Sequence, residues 1–156
     1  MKVVVDTNVF INAFFEADKE CKLVLRKEHN GEFHLVMCHD MNEELQRMLE
    51  SSIKKFNIDS NGSVMIYKML SRTLLRADNI NTTTKFNKCS DKDDNIFFSC
   101  AIDGNANYII SKDKHIHEMK NVGLKNKNKQ PIEILYPDEF IQKLDKLKLI
   151  THFNNK

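Results

Sequence analysis

Short apolar runs and longer amphipathic stretches alternate along this chain. Residues 3–5 are Val-Val-Val, and three β-branched residues in a row predict a short strand that is buried on both faces. From Asp40 to Phe56, apolar residues instead recur at intervals of three and four positions, which predicts an amphipathic helix. These two periods together predict four strands, at 3–5, 33–38, 108–111 and 132–135.

Helices fill most of the sequence between the predicted strands. Gly104 ends one of them, and Pro137 suits the first turn of the last. The Thr-rich segment 79–90 is weakly periodic and predicts a loop with at most one short strand. Strands separated by helices are typical of an α/β fold, here a three-layer α/β/α sandwich with a mainly parallel central sheet. The predicted helices cover residues 9–15, 17–28, 40–56, 64–77, 93–103, 114–120 and 137–147.

Length and composition favour one globular domain over residues 1–150, followed by a C-terminal tail at 151–156. Hydrophobic residues make up 41% of the 156 positions and charged residues 29%, which excludes disorder for most of the chain. The net charge of +2 is too small to indicate a nucleic-acid partner by itself. The four cysteines show no disulfide or zinc spacing and are predicted to be buried, reduced thiols. With no apolar run of membrane length and no secretion signal, we expect a soluble, cytoplasmic protein with no membrane partner.

Four carboxylates stand where the local pattern does not favour a charge. Asp6 directly follows the first strand, and Asp113 follows the third predicted strand in the same way. Asp94 lies in the first turn of a helix, where N-capping is the alternative role. Glu44 lies along the apolar edge of its helix, whereas its neighbour Glu43 faces solvent. A Glu on an inward face is costly to desolvate unless something pairs with it, which makes Glu44 the most informative of the four.

Parallel-sheet topology can bring these carboxylates together. Right-handed crossovers place successive strand ends at one edge, beside the first turns of the helices that follow them. Two carboxylates ~5 Å apart repel by ~3 kcal/mol at an effective dielectric constant of about 20. Either some of the four therefore stay protonated, or a cation lies among them. Oxygen ligands without His or Cys favour Mg²⁺ or Mn²⁺, and a carboxylate-held divalent ion that activates water is typical of nucleases.

Several short segments place acidic residues at strand ends or helix starts, next to apolar residues. In chain order these segments are 3–10 (VVVDTNVF), 43–45 (EEL), 91–95 (DKDDN), 106–113 (ANYIISKD) and 134–140 (ILYPDEF). The order resembles that of the PIN-domain ribonucleases, and among them the toxins of bacterial toxin–antitoxin pairs of the virulence-associated protein C type. The resemblance covers nearly the whole chain.

The resemblance implies a function and a site. It implies an endoribonuclease that hydrolyses RNA phosphodiesters with Mg²⁺ or Mn²⁺ as cofactor. It also implies an antitoxin protein as partner, and members of the family often form homodimers. The implied catalytic and metal-binding residues are Asp6, Glu44, Asp94 and Asp113, with Thr7, Asn8 and Ser111 orienting their carboxylates.

Three positions depart from the family pattern. Lys92 stands where many members carry Pro, and Asn95 and His115 replace residues that are often acidic. Fewer spare carboxylates leave open whether one or two metal ions bind. Two other readings also stay open: a non-catalytic PIN-like module that binds RNA or protein, and a phosphotransferase of the haloacid dehalogenase type with Asp6 as nucleophile. The second requires another Asp two residues later, where this chain has Asn8.

Residues 112–130 contain six lysines and two acidic residues. Such a segment could follow the phosphates of an RNA, and a solvated loop is the alternative. His115 and His117 resemble a metal-binding pair, but two residues apart on a helix their side chains point in different directions. Asp91 is a candidate for an auxiliary role beside Asp94, with a solvated loop residue as the alternative.

Overall fold

The computed structural model describes the backbone of residues 1–154 and the side chains of residues 1–150. Its centre is a sheet of five parallel strands. These are β1 (Lys2–Val5), β2 (His34–Cys38), β3 (Asp78–Ile80), β4 (Tyr108–Ile110) and β5 (Glu133–Leu135). Their spatial order is β3-β2-β1-β4-β5, so β1 is the central strand.

Seven α-helices within the described residues connect and cover these strands. Helix α2 packs against α7, and α3 packs against α5 and α1. The structure therefore confirms the predicted α/β/α sandwich with a parallel sheet. The helices are α1 (Thr7–Phe15), α2 (Lys19–His29), α3 (His39–Lys55), α4 (Ser60–Arg76), α5 (Asn95–Asp103), α6 (Lys114–His117) and α7 (Pro137–Asn154), with a 3₁₀ turn at Glu118–Val122.

The central strand β1 is buried as its sequence predicts. Val3, Val4 and Val5 are each at most 1% exposed, because helices cover both faces of the sheet and strands pair on both sides. Val5 pairs with Ile110 of β4, so these two strands end side by side. The chain leaves β1 for β2 on one side and later returns to place β4 on the other. The carboxyl ends of β1 and β4 thus form a topological switch point, and ligand sites in open α/β sheets lie at such points.

Several elements differ from the prediction at their boundaries. The one short strand predicted for the segment 79–90 is β3, which begins one residue earlier and pairs with β2 through Val36 and Asp78. The predicted helix 114–120 ends at His117, where the 3₁₀ turn begins. Helix α4 starts at Ser60, before the predicted residue 64. The reason is an N-cap: Asp59 Oδ1 accepts a hydrogen bond from the Gly62 backbone N–H at 2.7 Å.

The last helix is longer than predicted, because α7 continues past residue 147 to Asn154. Ion pairs hold it against α2 and the turn that follows α2: Lys27 Nζ lies 2.7 Å from Asp145, and Lys148 Nζ lies 2.9 Å from Glu32. The predicted tail at 151–156 therefore starts within this helix, and its last two residues lie outside the described part of the chain.

The prediction of buried, reduced thiols is confirmed. Cys21, Cys38, Cys89 and Cys100 are all buried and form no disulfide. Among the described helices, none combines the length and apolar character needed to cross a membrane.

Candidate active site

Asp6 lies at the carboxyl end of β1, where the chain turns directly into α1. Its side chain is only 1% exposed. Oδ1 accepts a hydrogen bond from the Asn8 backbone N–H at 3.0 Å, which caps α1, and Oδ2 accepts one from the Ser111 hydroxyl at 2.6 Å. Burial raises the pKa of Asp6 in spite of these bonds. Asp6 is therefore a firmly held carboxylate whose negative charge is only partly compensated.

The Thr7 hydroxyl joins the end of β1 to α3. Thr7 Oγ1 donates to Glu44 Oε1 at 3.0 Å and lies 3.4 Å from Asp6 Oδ1. The other oxygen of the half-buried Glu44, Oε2, is buried and has no hydrogen-bond partner among the described residues. Burial, and then the negative charge of Asp6, raise the pKa of Glu44. Thr7 thus fixes one oxygen of Glu44 and leaves the other available.

The neighbour Glu43 confirms the predicted helix phase of α3. Its side chain is 60% exposed and lies 3.3 Å from His39 Nε2 on the outer side of the helix. Glu44, one residue later, is therefore the Glu that α3 presents to Asp6.

Asp94 occupies the N-cap position of α5 without acting as a cap. Its carboxylate makes no capping hydrogen bond, and its Oδ2 is buried without a partner in the described structure. Burial, and then the negative charges of Asp113 and Asp6, raise the pKa of Asp94 to about 7. Capping, the alternative role, therefore does not account for Asp94.

Asp113 follows β4 and is held through Ser111. The Asp113 backbone N–H donates to Ser111 Oγ at 2.8 Å, and the same hydroxyl donates to Asp6. Asp113 Oδ1 accepts from the His115 backbone N–H at 2.7 Å, which caps α6. Asp113 therefore has a capping role as well as a place beside the other carboxylates.

The four predicted carboxylates lie within electrostatic range of one another. The negative charges of Asp113, Asp6 and Glu44 all contribute to the raised pKa of Asp94. Within residues 1–150, no three His, Cys, Asp or Glu side chains already have the spacing of a formed metal site. Mutual repulsion favours such wider spacing when no cation neutralises the charges. The unpaired oxygens of Glu44 and Asp94 are the kind of donor atoms that a hard divalent cation prefers, so the residues fit such an ion.

The PIN domain family model matches residues 2–115 of the chain, which contain all four carboxylates. The chain belongs to the PIN domain family. It is 28% identical over 148 residues to an uncharacterized protein of Methanocaldococcus jannaschii, MJ1680, covering 94% of this chain and 93% of the relative.

A solved structure supports the same fold. VapBC2 from Rickettsia felis, crystallised with a DNA fragment from its promoter, matches with a TM-score of 0.57. The match covers 87% of this chain and 98% of the other at 15% sequence identity, so it supports the PIN fold alone. The family match also leaves the haloacid dehalogenase alternative without support.

The groups predicted to orient the carboxylates of this PIN domain act in different ways. Thr7 and Ser111 use their hydroxyls, whereas Asn8 contributes its backbone N–H. Asp91 Oδ1 accepts from the Asp93 backbone N–H at 2.9 Å and so shapes the turn before α5. The negative charge of Asp91 also helps to raise the pKa of Asp94. Asp91 therefore acts on the site from the turn beside it.

The two histidines that follow Asp113 do not form a metal-binding pair. His115 Nδ1 lies 2.9 Å from the Ser90 hydroxyl, which donates to Glu118 Oε2 at 3.0 Å. His117 instead stacks on Tyr136 with a centroid distance of 3.6 Å. The side chains point to different partners, as the helix geometry predicted.

The basic segment 112–130 is less available to RNA than its sequence indicates. Three of its lysines are held in ion pairs: Lys112 with Asp18, Lys120 with Glu139, and Lys127 with Asp103. Much of its positive charge is therefore already compensated.

One charged residue near the site was not predicted from the sequence. Arg47 is an exposed residue one turn after Glu44 on α3, and its spacing of three residues from Glu44 was a usable signal.

Proposed function

We propose that this PIN domain protein is an endoribonuclease that hydrolyses RNA phosphodiesters with Mg²⁺ or Mn²⁺. The observation that carries the proposal is the pair of buried, unpaired carboxylate oxygens, Glu44 Oε2 and Asp94 Oδ2. Buried polar atoms normally have a partner, and an unpaired one suggests an ion or a functional group that completes the site. The chemistry of four carboxylates without His or Cys favours a hard divalent cation as that partner.

Asp6, Asp94 and Asp113 would hold the ion, and Glu44 would bind it through water or position the attacking water. When bound, such an ion lowers the pKa of water and offsets the negative charge that builds on the scissile phosphate. Ser111 and Thr7 keep the carboxylates in place, because their hydroxyls tie Asp6 and Glu44 to neighbouring elements.

Glu44 is suited to accept the proton of the attacking water. Burial raises the pKa of Glu44, which makes it a stronger base than an exposed carboxylate. Thr7 occupies Oε1, so the proton would go to Oε2, the oxygen without a partner. The water oxygen would then attack the phosphorus, and the leaving oxygen would depart from the opposite side.

The adjacent residues Glu44 and Glu43 give a matched test. Purified protein is incubated with RNA and Mn²⁺, and initial cleavage rates are compared for the wild type, Glu44→Gln and Glu43→Gln. Loss of a general base lowers rates by about 10²–10⁴-fold, which we expect for Glu44→Gln alone. Cleavage that persists in EDTA, or that is equally fast in Glu44→Gln and the wild type, would show that another enzyme or another mechanism is responsible.

The alternative is a non-catalytic PIN module that binds RNA or protein. It would need no bound ion, and the carboxylates of residues 1–150 do not already have the spacing of a formed metal site. It predicts a folded protein with no cleavage and no rise in melting temperature on adding Mn²⁺, which the same preparations can show.

We also propose that the protein is the cytoplasmic toxin of a toxin–antitoxin pair, with an antitoxin protein as its partner. A cleft of about 440 Å³ lies between α1, α2 and α4. Phe14, Leu25 and Met69 give it an apolar floor, and Lys22, Arg26 and Arg72 line it with positive charge. It therefore suits an amphipathic antitoxin segment with acidic side chains.

A homodimer is the other assembly that the family resemblance suggests. Size-exclusion chromatography with light scattering distinguishes a homodimer from a complex with an antitoxin.

A further inference from the structure

Helix α3 carries a cation directly beside its site carboxylate. Arg47 lies three residues after Glu44, so the two side chains are neighbours on one face of the helix, with Cβ atoms about 5–6 Å apart. The positive charge of Arg47 lowers the pKa of Glu44, against the larger effect of burial. Among the groups in residues 1–150 with the largest effects on the pKa values of Asp6, Glu44 and Asp94, Arg47 is the one cation.

Arg47 is also available to a ligand. It is solvent-exposed, and none of the ion pairs within residues 1–150 involves it. Lys112 and Lys120, which flank Asp113 in sequence, are instead held by Asp18 and Glu139. The guanidinium of Arg47 is thus an uncommitted cation close to the carboxylate site.

We propose that Arg47 binds a phosphate of the RNA strand next to the scissile one and so positions the strand over the carboxylates. The inference rests on the proposed ribonuclease function and names a residue that recognises the substrate. A polyanion that enters an acidic site needs positive charge close to it, and a guanidinium binds two phosphate oxygens at once through its planar fork. Because it contacts a neighbouring phosphate, Arg47 contributes mainly to binding and little to the chemical step.

Steady-state cleavage of a single-stranded RNA oligonucleotide tests this role. We expect Arg47→Gln to raise KM by about 10-fold or more, the usual effect of losing a charged hydrogen bond, with kcat changed less than about twofold. Arg47→Lys retains the charge without the fork and should recover part of the loss. The control is Lys54→Gln, on the same helix but about 10 Å further along its axis than Arg47 and about 15 Å from Glu44, which should behave like the wild type.

Salt dependence provides a readout that needs no cleavage. RNA binding is measured in the Asp94→Asn background over a series of salt concentrations. Losing one phosphate contact should reduce the log–log slope by about 0.7 for Arg47→Gln and leave it unchanged for Lys54→Gln.

The outcomes separate the two proposals. If the wild type does not cleave RNA but Arg47→Gln reduces the salt slope, hydrolysis is wrong and phosphate binding by Arg47 holds. If the wild type cleaves and Arg47→Gln matches Lys54→Gln in KM and in slope, the ribonuclease stands and the role of Arg47 is overturned. A fall in kcat at unchanged KM would also overturn it. Because Arg47 is exposed, melting temperatures close to that of the wild type are expected and show that the variants fold.

Discussion

The Asp94 carboxyl illustrates how burial and neighbouring negative charges make an ionised carboxylate destabilise the folded protein. Its pKa is about 7 in the folded protein, mainly because of burial, against an ordinary value of 3.8. Between these values the folded state holds a proton that the unfolded state has lost, so the contribution of Asp94 to stability falls as pH rises from about 4 to 7. This behaviour belongs to the metal-free protein, in which no cation compensates the carboxylate.

We expect Asp94→Asn to remove this pH dependence. In EDTA its melting temperature should match that of the wild type near pH 4 and exceed it increasingly up to pH 7, because Asn cannot ionise. Asp93→Asn, an exposed neighbour, is the control and should follow the wild type closely. A difference between wild type and Asp94→Asn that is the same at pH 4 and pH 7 would contradict the raised pKa.

Asp6 should respond differently to the same substitution, because both of its oxygens accept hydrogen bonds. An Asn at this position has one acceptor oxygen, and its amide N–H would face a donor. We expect Asp6→Asn to destabilise the metal-free protein by about 1–2 kcal/mol, whereas Asp94→Asn stabilises it near pH 7. Urea denaturation in EDTA measures both values. Equal effects of the two substitutions would show that Asp6 is not held as described.

The four carboxylates could be predicted at the residue scale, but their connections could not. Asp6 and Asp113 stand at strand ends, Glu44 interrupts an apolar helix edge, and Asp94 stands at a helix start. Their positions in the predicted elements therefore marked them. The double use of Ser111, which donates to Asp6 and accepts from the Asp113 backbone, depends on a side-chain rotamer. Sequence periodicity carries no information about rotamers.

At the scale of elements, strands were predictable where β-branched or aromatic runs are buried. The exception is β3, whose Asp78 and Asn79 have low strand propensity. This strand exists because β2 offers it a partner edge, and such long-range pairing is invisible to local pattern.

Gly104 ends α5 where the sequence predicted, but the reason for a glycine there is space rather than backbone conformation. Its φ is −80°, so no left-handed conformation requires a glycine there. The requirement is space, because a Cβ at this position would lie 2.4 Å from Val36 Cγ1 of β2. A helix end that approaches a strand so closely tolerates only glycine, and the sequence alone does not show which neighbour comes near.

The cleft between α1, α2 and α4 gives a prediction about partner binding. Met69 lines the cleft, whereas Leu75 on the same helix is 85% exposed and does not line it. If an antitoxin segment binds there, Met69→Lys should abolish co-purification with the antitoxin protein, and Leu75→Lys should not. Both positions are exposed, so neither change should lower the melting temperature much. Equal co-purification of the two variants would place the partner elsewhere.

At the scale of the whole molecule, topology explains why distant residues form one site. Asp6 and Asp113 are far apart in sequence, yet the pairing of β1 with β4 places their strand ends side by side. Glu44 arrives from α3 and Asp94 from the start of α5, and both helices connect strands of the same sheet. Right-handed crossovers in a parallel sheet leave little freedom in this arrangement, which is why the sequence order of the motifs was informative.

Because the site joins β1, α3, α5 and the end of β4, an ion bound there should stabilise the whole fold. Such an ion binds the folded state and relieves repulsion among the carboxylates, so the melting temperature should rise with the logarithm of Mn²⁺ concentration once this exceeds the dissociation constant. We expect the rise in the wild type and in Glu43→Gln. It should be smaller in Glu44→Gln and smallest in Asp94→Asn, which lacks a carboxylate that is proposed to contact the ion directly. Scanning calorimetry at pH 7 after dialysis against EDTA measures this series. An equal rise in all four proteins would mean that Mn²⁺ binds outside the carboxylate site, and no rise in any of them would favour the non-catalytic module.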